Sequence, residues 1–349
     1  MPFGQLVVGP PGSGKSTYCH GMHQFLTALN RPVHIVNLDP ANETLPYPCS
    51  LSISSLVTLQ DAMDEFGLGP NGAMLYCMEY LEENFDWLVE ELDKLEGGYF
   101  IFDIAGQVEL STNHGSLTRI MDRLRKLDYR LAAVHLSDAS YLTDASKYIS
   151  VLLTSLRTML QLEMPHINVL SKMDIITQFG DLPFNLDFYT EVQDLSQLSI
   201  LLDKDPRLSK FGDLNRAICE IVEDFGLVGF ETLAVEDKKS MLHLLKILDK
   251  ATGYIFIPPT QPSSSSATDG SPADLFQPSS SSSRTPNADA LFGSIAGRIP
   301  GRDIGDIQER WVDRKEEFDE WEREEWKKEG EEAKRVAAAA VGKRRGGME

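Results

Sequence analysis

Gly9-Pro-Pro-Gly-Ser-Gly-Lys-Ser16, directly behind the apolar run Gln5-Leu-Val-Val8, decides how the rest of the chain is read. Glycine, four residues, then Gly-Lys-Ser is the P-loop pattern: its glycines let the main chain curl round a phosphate with the N–H groups pointing inward. Lys15 brings a positive charge to the β- and γ-phosphates, Ser16 offers a hydroxyl to Mg²⁺, and a helix opening at Ser13 adds its positive dipole end. Gly12, Ser13, Gly14, Lys15, Ser16 and Thr17 are therefore expected around a nucleotide triphosphate. A plain glycine turn is the bland alternative, but strand, loop and helix follow in the order that the motif requires.

Working outward, the sequence from Gln5 to about Ile257 alternates short apolar runs with longer helical patterns, which predicts a mostly parallel sheet flanked by helices, an α/β fold. The strand candidates are Gln5–Val8, Val33–Leu38, Tyr99–Phe102, Leu131–Leu136, Ile167–Leu170 and Gly229–Leu233. The helix candidates are Ser13–Leu29, Leu59–Glu65, Asn71–Leu95, Leu117–Leu127, Thr143–Leu162, Asp187–Leu195, Arg207–Phe225 and Lys238–Gly253. Leu51–Leu95 is long for a crossover and reads as a helical insertion carrying a special loop. From Pro258 to Ile304 the composition turns to Ser, Pro and Gly, as expected of a disordered linker. Beyond it, 305–349 is charged, and Asp306–Val341 is expected to be helical. Ile307, Trp311, Phe318, Trp321 and Trp326 share one broad face, suited either to rest on the domain or to dock a partner.

The 349 residues and 42% hydrophobic content are ample for a buried core, and a formal charge of −20 argues against a phosphate-backbone binder. Small molecules and proteins are the expected partners, with no direct nucleic acid. The four cysteines form no CxxC pair and fit reduced thiols in cytosol or nucleus, with Cys19 packed rather than reactive. No segment approaches the roughly 18 apolar residues of a membrane span, and the first strand starts too early for a signal peptide, so no membrane association is expected.

The loops at the strand ends carry the remaining chemistry, because ligands of such sheets bind there. Asp103-Ile-Ala-Gly-Gln107 closes a strand on an acid suited to hold Mg²⁺; Gly106 admits the backbone to the γ-phosphate, Gln107 stands beside the attacking water, and Glu109 adds a second polar group. Ser171-Lys-Met-Asp174 resembles the guanine-recognition loop of GTPases. A carboxylate accepts from guanine's ring N–H and exocyclic amine together, a donor pair that adenine lacks, while the Lys172 stem lies along the base. Asp39, in Leu38-Asp-Pro-Ala-Asn42, is expected near the γ-phosphate, in contact with Mg²⁺ through water or positioning the nucleophile; an Asx turn is the alternative.

Leu68-Gly-Pro-Asn-Gly72, together with Gly9–Thr17, Asp39-Pro-Ala41, Asp103–Glu109 and Ser171–Asp174, makes the chain from Pro2 to about Ile257 resemble the GPN-loop GTPases. Tyr76-Cys-Met-Glu-Tyr80 adds a likeness to the second of that family's eukaryotic paralogues. The resemblance implies a GTP-hydrolysing, Mg²⁺-dependent dimer, paired with itself or with a paralogue, in which the loop bearing Asn71 reaches toward the partner's nucleotide. It further implies work in the assembly and nuclear import of RNA polymerase II, in contact with polymerase subunits or assembly factors, from the cytoplasm with passage to the nucleus. The usual Ser-Ala base loop is replaced by Thr232-Leu-Ala234, so a backbone N–H of Leu233 or Ala234 is expected at the guanine carbonyl. Two other readings use the same motifs: a nucleotide-type small-molecule kinase, for which no arginine-rich lid is evident, and a slow-turnover GTP-gated scaffold.

Overall fold

The computed structural model describes residues 1–42, 44–95, 97–107, 115–204, 209–254, 304–324 and 326–328. The expected linker up to residue 303 and the part of the tail beyond residue 328 lie outside the described residues, whereas Ile304, expected to end the linker, begins a helix. Seven strands form one sheet, β1 (Phe3–Val8), β2 (Val33–Asn37), β3 (Leu51–Ser52), β4 (Tyr99–Asp103), β5 (Arg130–Asp138), β6 (His166–Ser171) and β7 (Phe230–Thr232), in the order β3-β2-β4-β1-β5-β6-β7. Every pairing is parallel. Such a sheet is covered on both faces, which is why β1 and β4 are buried along their whole lengths. β3, a two-residue edge strand, is too short for alternation in the sequence to reveal.

The helices are α1 (Lys15–Ala28), α2 (Leu59–Phe66), α3 (Pro70–Glu83), α4 (Phe85–Asp93), α5 (Ser116–Lys126), α6 (Ala145–Leu162), α7 (Leu186–Glu191), α8 (Ser196–Lys204), α9 (Gly212–Phe225), α10 (Lys238–Thr252) and α11 (Ile304–Gln308). Side chains of α2 to α5 pack on one face of the β2–β4–β1 half of the sheet, around Phe102, Met78 and Ile120. Those of α1 and α10 cover the opposite face, around Tyr18, Met22 and Leu244. A third cluster, built on α6 to α9, closes the β6–β7 side.

Two expectations change. The helix read as Asn71–Leu95 is two helices, because the Asn84 side chain donates to the Tyr80 carbonyl at 2.8 Å and its backbone leaves the helical region. The tail is not one uninterrupted helix: a wide turn at Glu309–Asp313 and a break at Arg314 separate α11 from the helical stretch 315–324. Ile307 and Trp311 are buried in the third cluster, whereas Trp321 and Trp326 are exposed.

Candidate functional site at the strand ends

Register brings the expected residues to one edge. Val7 of β1 lies level with Asp103, which is also level with Asn37, while Asp138 at the end of β5 is level with Ser171. The P-loop therefore leaves the central strand between an acid on one side and the Lys172 loop on the other. Gly9, Gly12 and Gly14 all have positive φ, a conformation that a side chain would strain. α1 begins with Gly14 as its cap and no side-chain oxygen over its first N–H groups, which leaves that end suited to an anion. Lys15 donates to the carbonyls of Gly9 at 3.0 Å and Pro10 at 3.1 Å, folded against its own loop. Burial holds its ammonium below the ordinary lysine range, with Asp103 and Asp39 opposing. Gly106 passes so close that a Cβ there would lie 2.7 Å from the Lys15 Nζ and 3.1 Å from the Pro11 Cα, so a side chain there would push Lys15 aside and crowd the P-loop.

Asp103 and Ser16 are the oxygen donors that could hold Mg²⁺ here. Asp103 is buried; its Oδ2 accepts from the Ser16 hydroxyl at 3.2 Å and from the Tyr47 hydroxyl at 2.7 Å, while its Oδ1 is buried with no hydrogen-bond partner. A buried carboxylate oxygen without a donor is costly unless a cation or its water meets it, so hard oxygen ligands and one orphaned oxygen fit a magnesium ion. Burial pushes the Asp103 carboxyl up, opposed by the Tyr47 bond, Lys15 and Ser16. Asp39 makes the Asx turn: its Oδ1 accepts the Ala41 N–H at 2.9 Å, and its own N–H donates to Asn37 Oδ1 at 3.1 Å. It remains close enough to act on Lys15, and burial raises its carboxyl as well.

On the base side, the Lys172 stem lies over the P-loop: a Cβ on Gly14 would meet the Lys172 Cε at 3.9 Å. Lys172 takes a left-handed φ of 61° and its Nζ bonds Asp138 Oδ2 at 2.7 Å. Burial tends to raise the Asp138 carboxyl, yet the bonds from Lys172 and Ser140 hold it below its ordinary range. Ser171 donates to the Ser13 carbonyl at 2.7 Å and the Ser137 carbonyl at 3.1 Å, stapling the P-loop to β5 and β6 rather than pointing to a base. Asp174 follows at the start of the tight helical turn Met173–Phe179. The contact expected of Leu233 or Ala234 is corrected: the Leu233 N–H donates to the Leu170 carbonyl at 2.8 Å and the Ala234 N–H to Ser240 Oγ at 3.2 Å, and both residues are buried.

The Gly69-Pro70-Asn71 turn opens α3, with Gly69 as the cap and Pro70 in the first turn. Asn71 is thus inside the helix rather than its cap. Its Oδ1 accepts from Gln107 Nε2 at 2.8 Å, so Gln107, expected beside the attacking water, and Asn71, expected to reach toward a partner's nucleotide, meet within one chain. Thr17 sits exposed in the first turn of α1, and Glu109 lies outside the described residues. Tyr47 and Asp138 escaped the sequence reading. No motif marks Tyr47 in its loop, and Asp138 acquires its role only through the pairing of β5 with β6.

A family model described as "Conserved hypothetical ATP binding protein" matches residues 7–254. GPN-loop GTPase 2 of Danio rerio is 57% identical over 256 residues, 73% of this chain and 82% of its own. GPN-loop GTPase 2 of Schizosaccharomyces pombe is 49% identical over 330 residues, 93% of this chain and 96% of its own, a span long enough to take in the tail segment 304–324. A crystal structure of a GTPase in apo form from Pyrococcus abyssi matches with a TM-score of 0.58 and 26% identity, over 71% of this chain and 97% of its own. The family description names ATP, whereas the named relatives are GTPases.

Proposed function

The chain belongs to the GPN-loop GTPases, most like their GPN-loop GTPase 2 branch, and on that premise we propose that it binds GTP with Mg²⁺ and hydrolyses it to GDP and phosphate as a dimeric switch. The observation that carries the reading is the buried Asp103, with one oxygen held by Ser16 and Tyr47 and the other left without a donor, beside a P-loop lysine. Lys15 and the amides opening α1 hold the phosphates, and Asp174 accepts from the guanine donors with the Lys172 stem beneath the base. Ser16 and Asp103 would hold Mg²⁺, which when bound neutralises charge on the phosphate oxygens. Gln107, presented by the loop that Gly106 brings against the P-loop, orients water, and its bond to Asn71 links that task to the Gly-Pro-Asn turn.

For the dimer, support comes from the family and from an aromatic ladder beside the turn: Phe66 on Tyr76 at 4.6 Å and Tyr76 on Tyr80 at 6.0 Å, with Phe66 and Tyr80 exposed. The finer role, in assembly and nuclear import of RNA polymerase II from the cytoplasm, rests on family resemblance alone. No helix among the described residues is long and apolar enough to cross a membrane. Phosphate release from GTP and from ATP, measured with and without nucleotide and small-molecule acceptors, tests the reading. GTP-specific release without an acceptor is expected; dependence on an acceptor would make the protein a kinase, and near-absence of turnover a scaffold.

A further inference from the structure

Residues 304–324 pack on the domain against two neighbouring pieces, the start of α7 and the loop that carries Asp174. Ile307 and Trp311 are buried among Met173, Ile176, Leu186 and Tyr189. Gln308 accepts the Leu186 N–H at 2.7 Å and so satisfies an open donor at the start of α7. Arg310 gives the segment its own shape: it stacks on the Trp311 ring at 4.3 Å and bonds Asp319 at 2.9 Å and Glu322 at 3.0 Å. From the turn thus formed, Lys315 donates to the backbone carbonyl of Asp174. On its other side the same loop is tied by Lys172 to Asp138 and by the Met173 N–H to the Leu233 carbonyl at 3.2 Å.

We propose that this strap is a working part of the nucleotide site, with Lys315 as a positioning residue that fixes the Asp174 backbone and so sharpens discrimination for guanine. The inference rests on Asp174 reading the base. A carboxylate that must meet two donors at once is intolerant of a rotation of its backbone, and a single peptide carbonyl pinned by an ammonium resists that rotation. Ile307 and Trp311 supply the anchor; Lys315 supplies the register. Release of the strap then loosens guanine nucleotide without any change to the P-loop.

The test uses the full chain and two nucleotides, GDP and IDP, the second lacking the exocyclic amine. Lys315→Met keeps the stem and removes the donor. It should weaken GDP about tenfold, as loss of one charge-assisted hydrogen bond does, and IDP far less, so that the ratio of the two affinities falls. Lys315→Arg should restore the ratio, and hydrogen exchange at Met173–Phe179 should rise in Lys315→Met and fall back in Lys315→Arg. A strap with only a structural role would weaken both nucleotides in parallel, and that result, or an unchanged ratio, overturns the proposal. Asp174→Asn is measured alongside. If it leaves the ratio unaltered, the base reading and the strap's role fall together; if it collapses the ratio while Lys315→Met does not, the strap's role alone is refuted.

Discussion

Replacing Tyr47 by phenylalanine removes one oxygen and leaves the ring where it is. That oxygen donates at 2.7 Å to Asp103 Oδ2 in a place where Asp103 is only 2% exposed, so water cannot replace it. A hydrogen bond to an ionised group contributes about 1.5–3 kcal/mol, which at about 1.4 kcal/mol per factor of ten predicts a loss of Mg²⁺ affinity of about 10- to 100-fold. The loss is assigned to Mg²⁺ because the bond is made to Oδ2, while Oδ1 is the oxygen without a donor. Tyr47 therefore holds the carboxylate ionised and aimed, and does not compete for the metal's atom. Titration of Mg²⁺ into the GDP-bound protein measures the effect. Acidification supplies a second reading: burial already raises the Asp103 carboxyl, and without the Tyr47 bond it rises further, so protons displace Mg²⁺ at a higher pH in the variant. Equal or tighter Mg²⁺ binding by Tyr47→Phe, with the protein folded, would refute the reasoning.

Asp174→Asn should weaken GTP about 100-fold or more and shift preference toward xanthosine triphosphate, as read by titration calorimetry; wild-type GTP affinity would remove Asp174 from the base site. Asn71→Ala should leave the melting temperature nearly unchanged, because Gly69 is the cap, while slowing GTP hydrolysis by releasing Gln107. Partial recovery of turnover on mixing it with Gln107→Leu subunits would place the loop's action across two copies. His135, fully buried against Asn168 and Ser155, is held down to about 4 by burial, so its folded value lies below its unfolded one. The unfolded chain then binds the extra proton as pH falls below about 6.5, and the His135 contribution should drop by on the order of 3 kcal/mol down to about pH 4, while the neighbouring His166, held down to about 3 by burial, adds a further loss of the same sign. In denaturant titrations His135→Leu should reduce that slope without abolishing it, and an unaltered slope would assign the loss to other groups.

Residues whose chemistry is local were legible in the sequence. The P-loop glycines, Lys15, Ser16, Asp103 and Lys172-x-Asp174 each sit on a turn whose composition declares it, and the strand ends that carry them were placed within a residue or two. Illegible were the residues that act across the fold. Tyr47 meets an acid 56 positions away and Asp138 a lysine 34 away, both brought together by strand order. Leu233 and Ala234 were misjudged for the same reason: a strand's last amides look available until the neighbouring strand and helix take them. The helix expected to open at Asn71 opens one residue earlier, because Pro70 occupies the first turn and Gly69 is the cap. The tail's apolar residues were visible, but their destination on the Asp174 loop was not, since nothing local to the tail names it.

The sheet is longest in its middle and shortest at its rims: β5 has nine residues, whereas β3 has two and β7 has three. An unpaired strand edge is a template on which another chain can add a strand, and its danger grows with its length. Here the outer rims present almost nothing to copy, while the apolar strands that could seed aggregation are flanked on both sides by neighbours. Parallel sheets form slowly because their partners are far apart in sequence, so the period in which β1 and β5 stand unprotected is the hazardous one, and it ends once the centre has closed. Among the described residues, helices and loops therefore offer a second copy far more surface than the sheet's rims do. A substitution that lengthened β7 by a few β-branched residues would give that edge a template along which further copies could add.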